Sequence, residues 1–157
     1  MSLKSIIALL RRHDLFAGLA DPRLEVIAFT AERVTFAAGE LLFEAGEEGQ
    51  DALLILTGSA LMGEGTRVEA GDLIGEAALL AMGSEGATRR ASVRAQSPVE
   101  ALSVSRYLFQ RLMQEFPEMA GAVAGALTRR LAQSTQEMQF LARDMALAQV
   151  TRTSRQR

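Results

Sequence analysis

The chain has 157 residues with 17 basic and 19 acidic side chains, a net charge of −2. That is one domain, or one domain with an extension, without the cationic coat of a general nucleic-acid binder. Cysteine and tryptophan are absent, tyrosine and histidine occur once each and hydrophobics make up 48%, which reads as globular and excludes disulfides, thiolate nucleophiles, thiolate-bound zinc, iron–sulfur clusters and His-rich metal sites. No apolar run approaches the ~18 residues of a membrane span. The N-terminal MSLKSIIALLRRHD carries its basic residues after its apolar stretch, unlike a signal peptide, so a cytoplasmic protein is expected.

In chain order, residues 1 to 30 read as helical. Ile6, Leu9 and Leu10 recur at helical spacing. Asp21-Pro22 reads as an N-cap followed by proline at the first helical position, ahead of an apolar face of Leu24, Ile27 and Ala28. From about 32 to 104 the runs are short and separated by glycines: Arg33–Phe36, Leu41–Phe43, Ala52–Leu56, Ala60–Met62, Arg90–Ala95 and Val99–Val104. Short strands at this spacing predict a small barrel or sandwich, interrupted by one helical turn over Gly75–Ala81.

From residue 105 the chain is helical again. Ser105 is a candidate N-cap, Leu108, Phe109, Leu112, Met113 and Phe116 form one face, and Pro117 opens a helix running to about 150. At ~1.5 Å per residue it is too long for the small barrel to cover. Leu127, Leu131, Ser134, Met138, Leu141, Met145 and Ala148 alternate steps of four and three. That is the a/d seam of a coiled coil, so a homodimer through 127–148 is predicted; the competing reading is an amphipathic helix lying on its own domain. Ser134 is the one polar seam residue, and it either sets register or touches something bound. The predicted division is 1–116, 117–150 and a frayed basic tail over 151–157. Residues 126–157 hold six arginines against Glu137 and Asp144, a net +4, which leaves −6 for the rest.

Chemistry concentrates in GDLIGEAALL (71–80), a small-residue loop, and TRRASVRA (88–95). Strand alternation turns Arg89 inward with Ala91, Val93 and Ala95, and Arg90 outward with Ser92 and Arg94. An inward arginine stays charged and needs a partner, either Glu76 or a bound anion. The turn at Gly75 leads into a helix whose first N–H groups are free for an anion. With the Arg89 guanidinium they would hold a phosphate, while Glu76 would accept a hydrogen bond from a sugar hydroxyl.

This order of residues resembles the phosphate-binding cassette of cyclic nucleotide-binding domains. LFAGL (15–19) and VTFAAGELLFEAGEEGQDALLILTGSA (34–60) resemble that domain's opening helix, strands and glycine turns, and the likeness covers roughly 14 to 140. It implies an α+β fold, a β-roll (a double-stranded jelly-roll-like barrel) with N-terminal helices and a long C-terminal helix. It implies Glu76 on the ribose 2′-hydroxyl, Arg89 on the cyclic phosphate, and backbone amides at Gly75, Ala77 and Arg90 holding the ligand. The last helix is similar to the dimer helix of the catabolite-activator branch, which sets the hydroxyls of Ser134 and Thr135 against the adenine, one from each subunit, and favours cAMP over cGMP; Thr135 is otherwise a solvent-facing helix residue.

Four departures accompany the resemblance. Arg90 stands where a small residue is usual, and either adds a phosphate contact or points to solvent. The hairpin Leu61–Thr66 is short, trimming one wall of the base pocket. Leu53 replaces a frequent aromatic. The helix-turn-helix of the activator branch is expected to be absent. The resulting expectation is a binding module, not an enzyme: a stand-alone cyclic-nucleotide receptor with no cofactor beyond its ligand, signalling through its C-terminal helix to an unknown protein, with no membrane and no nucleic-acid role. The alternative is a ligand-free interaction scaffold in which Arg89 and Glu76 pair internally.

Overall fold

A computed structural model describes residues 1–81 and 86–155, with side chains to Gln149 apart from Ser134. Three helices come first: α1 (Leu3–Arg11), α2 (Asp14–Ala17) and α3 (Asp21–Thr30). The Ser2 hydroxyl caps α1 by accepting the Ser5 N–H at 3.2 Å, and Ile6 and Leu10 face the core. The expected cap of α3 is displaced by one residue. Ala20 is the N-cap and Asp21 already lies in the helix, because the Asp21 carboxylate is taken up in an ion pair with Arg11.

The strands are β1 (Glu32–Phe36), β2 (Leu41–Phe43), β3 (Glu48–Gly49), β4 (Asp51–Thr57), β5 (Ser59–Met62), β6 (Thr66–Glu69) and β7 (Leu73–Ile74), then a short helix, α4 (Ala77–Leu80). After it come β8 (Ala87–Thr88), β9 (Val93–Ala95) and β10 (Val99–Ser105). They pair antiparallel into two four-stranded sheets, β1-β10-β4-β7 and β2-β9-β5-β6, with β3-β8 as a separate ribbon. The sequence pattern locates the six apolar runs but not β3, β6, β7 and β8, which are polar or only two residues long. The small-residue loop expected between α4 and β8 lies, over 82–85, outside the described residues.

The central strand β4 explains the two-sided core. Its residues alternate faces: Ala52, Leu54 and Leu56 join the helices in one cluster, while Leu53 and Ile55 fill the space between the sheets. β10 divides the same way, with Leu102 and Val104 on the helix side and Val99 and Ala101 on the inner side. Leu53, where the resemblance implies an aromatic, is 2% exposed in the inner cluster.

The predicted strand Arg90–Ala95 is shorter than expected, since only Val93–Ala95 pair. The backbone before it is claimed by turns instead. Arg89 N–H donates to Glu47 O at 2.7 Å, and Gly46 and Gly63 donate to the carbonyls of Arg89 and Ser92 at 2.9 Å each. This break places Arg89 and Arg90 beside the turn at Gly75.

Ser105 caps α5 (Arg106–Glu115) by accepting the Leu108 N–H at 3.0 Å. Phe116 leaves the helical region (φ −127°, ψ 88°), as the residue before a proline tends to do. Pro117 then opens α6, 39 residues to Arg155, roughly 58 Å at ~1.5 Å per residue. Helix therefore continues five residues into the segment expected as tail. Met119, Val123 and Ala126 bury α6 against the helical cluster. Beyond Arg130 every described side chain of α6 is exposed, including Leu131 (70%), Met138 (70%), Leu141 (62%) and Met145 (68%). Among the described residues no helix is long and apolar enough to cross a membrane.

Candidate ligand-binding site

The site is built where β7 ends. Gly75 has φ +76°, and a β-carbon there would stand 2.5 Å from Arg89 Nη1 and 2.8 Å from the Phe43 ring, so glycine alone fits without strain. The turn delivers Glu76 and Ala77 to the mouth of a cavity of about 430 Å³. Ala77 opens α4, so its N–H has no acceptor within the helix. Gly75, Glu76, Ala77, Arg89 and Arg90 all line this cavity, with an apolar wall that includes Phe43, Met62, Leu73 and Val93. A polar mouth over an apolar wall suits a ligand with a charged end and a flat one.

Arg89 is the buried charge of the site, its side chain only 8% exposed. Its guanidinium lies 3.5 Å over the centre of the Phe43 ring, a cation–π stack, and a β-carbon at Gly49 would overlap it. Burial lowers the Arg89 pKa, opposed by Asp51 and Glu47, and an arginine keeps its charge through such a shift. Nη2 donates to Asp51 Oδ1 at 2.7 Å, and Ser103 Oγ donates to Asp51 Oδ2 at 2.6 Å.

The internal pairing of Arg89 with Glu76 does not occur: Asp51 is the partner. The reason is placement. Arg89 crosses Phe43 toward the start of β4, whereas Glu76 sits on the side of the mouth reached by α6. There Arg130 Nη1 lies 3.6 Å from Glu76 Oε1. Arg130 also forks onto Asp14 of α2, with Nε to Oδ2 at 2.8 Å and Nη2 to Oδ1 at 2.9 Å. The hydrogen bond from Arg130 chiefly holds the Asp14 carboxyl down to about 2, against desolvation.

Arg90 is exposed, as the alternation predicts, yet it too borders the cavity. Thr135 is not brought to the cavity. It is exposed on α6, and its hydroxyl donates to Leu131 O at 2.9 Å. Ser134 falls in α6 with its side chain outside those described. Phe43, Asp51 and Arg130 are site residues that sequence reasoning did not single out. Asp51 had one visible signal, an acid opening the apolar run of β4. Buried Arg106 supports the site from behind, donating from Nη2 to Ala81 O at 3.0 Å at the end of α4. The single histidine, His13, donates from Nε2 to Gly71 O at 2.8 Å and is not among the residues described as lining the cavity.

The sequence profile described as "Cyclic nucleotide-binding domain" matches residues 33–116, the span that holds the cassette and both sheets. The chain belongs to the cyclic nucleotide-binding domain family. The domain's N-terminal helices, β-sheet core and long C-terminal helix are matched by the N-terminal domain of a transcriptional regulator from Streptomyces coelicolor A3(2), with a TM-score of 0.73 and 28% identity over 82% of this chain and 92% of that one. Among curated proteins, an uncharacterized NTE family protein of Mycobacterium tuberculosis is 31% identical over 130 residues, 80% of this chain and 22% of the relative. The cAMP-activated global transcriptional regulator CRP of Pasteurella multocida is 28% identical over 131 residues, 78% of this chain and 61% of that protein. The chain thus spans less than two thirds of the length of either curated relative.

Proposed function

We propose that this cyclic nucleotide-binding domain is a non-enzymatic cytoplasmic receptor for a cyclic nucleotide, cAMP ahead of cGMP, that signals through α6 to a protein partner. The observation that carries it is Arg89, a buried arginine stacked on Phe43 with Nη1 beside the Gly75 turn and Glu76 on the same cavity. A cyclic phosphate would meet Arg89 and the amides of the turn, a ribose hydroxyl would donate to Glu76, and the base would lie on the apolar wall. The relatives' names support this class of ligand: CRP is described as cAMP-activated. The preference for adenine rests on Ser134 and Thr135 reaching the pocket of a second chain through the 127–148 seam.

One observation favours the scaffold reading instead, since Asp51 already balances the Arg89 charge. Thermal unfolding with and without cAMP or cGMP separates the two, beside an Arg89→Ala variant. Ligand bound only by the folded state adds about 2.7 kcal/mol at a hundredfold excess over Kd. A nucleotide-dependent rise in Tm, lost in Arg89→Ala, is expected of the receptor. No rise at millimolar nucleotide, with Arg89→Ala destabilising by itself, would leave the scaffold.

A further inference from the structure

Arg130 is the last described side chain of α6 that is not fully exposed, 30% exposed against the open helix beyond it. It therefore sets where the free part of α6 departs from the domain. Its guanidinium is shared unequally. The Nε/Nη2 edge makes two short bonds to Asp14, a charge-assisted fork. Nη1 stays 3.6 Å from Glu76, beyond hydrogen-bond length but close enough for charge attraction. A full approach to Glu76 or to an anion in the cavity would require Arg130 to give up at least one bond to Asp14. Asp14 belongs to neither the roll nor α6, but to α2 of the N-terminal helices.

We propose that Asp14 is a restraining latch on the ligand site: it holds Arg130 at the rim, and an anionic ligand in the cavity draws Arg130 off Asp14, freeing α2 from the departing part of α6. The inference rests on the receptor reading above. Arg89 cannot play this part, because Gly49, Gly75 and Phe43 confine it and Asp51 holds it. Arg130, on a flexible stem at the mouth, can move without repacking the core. The apolar contacts at Met119, Val123 and Ala126 keep the near half of α6 in place, so the change falls on the helix beyond them. The ligand shifts this balance only by the contacts that it gains from Arg130 in the released state, and a broken latch removes a cost of binding.

The test is calorimetric titration of the full chain with cAMP and cGMP, with Tm measured beside each Kd. Asp14→Asn is expected to bind about two- to fivefold tighter, the scale of one exposed ion pair. Asp14 is 49% exposed, so folding should survive. Arg130→Lys, which keeps the charge but cannot fork, is the second variant and should also tighten binding. In an Arg130→Ala background the Asp14→Asn gain should vanish, because the two act as one pair. Tighter binding without a rise in Tm separates a latch from a merely structural pair. If the native chain binds and neither variant binds tighter, the latch is overturned alone; if the native chain binds neither nucleotide, the receptor reading falls and the latch with it.

Discussion

Gly49 and Gly75 each leave room for the Arg89 guanidinium, and the second also supplies a positive φ. Gly75→Ala should therefore cost about 1–3 kcal/mol, the range for a residue held in a sparsely allowed backbone region, read from urea unfolding. A loss below about 0.5 kcal/mol, the scale of a neutral surface change, would mean that the turn relaxes without harm. At Asp14 the physics is electrostatic. The folded carboxyl titrates near 2 instead of 3.8, so its unfolded state binds protons first as pH falls. The contribution of the pair is complete above about pH 4 and is lost as pH drops through about 2. The stability difference between the native chain and Asp14→Asn should be constant from about pH 7 to 5 and shrink below about pH 4; a difference independent of pH down to about 2 would assign the effect to something other than the ion pair.

At the scale of elements, α6 has two regimes. Its first three turns bury Met119, Val123 and Ala126 against α2 and α5. Its remainder projects Leu131, Met138, Leu141 and Met145 into solvent at 62–70% exposure, a stripe that a single chain leaves uncovered and that fits the 3.5-residue period of a helix pair. Paired substitution Leu131→Glu with Met138→Glu should halve the mass seen by sedimentation while leaving the Tm of the roll nearly unchanged at low protein concentration, since neither side chain is buried within the chain. An unchanged mass would show that the seam does not join two copies. The elbow before α6 is held by Arg23, stacked 3.5 Å over Phe116 and bonded to Glu118 at 3.0 Å. The N-terminal helices are thus tied to α6 twice, α3 through Arg23 at Glu118 and α2 through Asp14 at Arg130.

For the whole molecule, the two clusters divided by β4 and β10 separate tasks. The inner cluster shapes the roll and the wall of the cavity. The outer one glues the roll to α1, α3, α5 and the start of α6. In the proposed latch, a ligand contact at the mouth reaches α6 through a few polar groups, Glu76, Arg130 and Asp14, without disturbing either core. Charge follows the same division. The segment from 126 on carries +4 and the remainder −6, so attraction between the basic helix and acidic domain should weaken with salt.

Local pattern determined much of this protein from sequence alone. Short apolar runs between glycines placed six strands and spacing of three and four placed the helices, because each is a property of neighbouring residues, while the Gly-Glu…Arg-Arg order carried the family resemblance. The one-residue error at Asp21 and the overlong strand at Arg90 arose where a side chain or a turn claimed groups that local rules assign elsewhere. Only the tertiary structure decided the partners of the charges. Arg89 meets Asp51 across 38 residues, and Arg130 meets Asp14 across 116. Periodicity tells which face a side chain takes, but which opposite charge waits on that face depends on how distant strands and helices pack, and no local spacing encodes it.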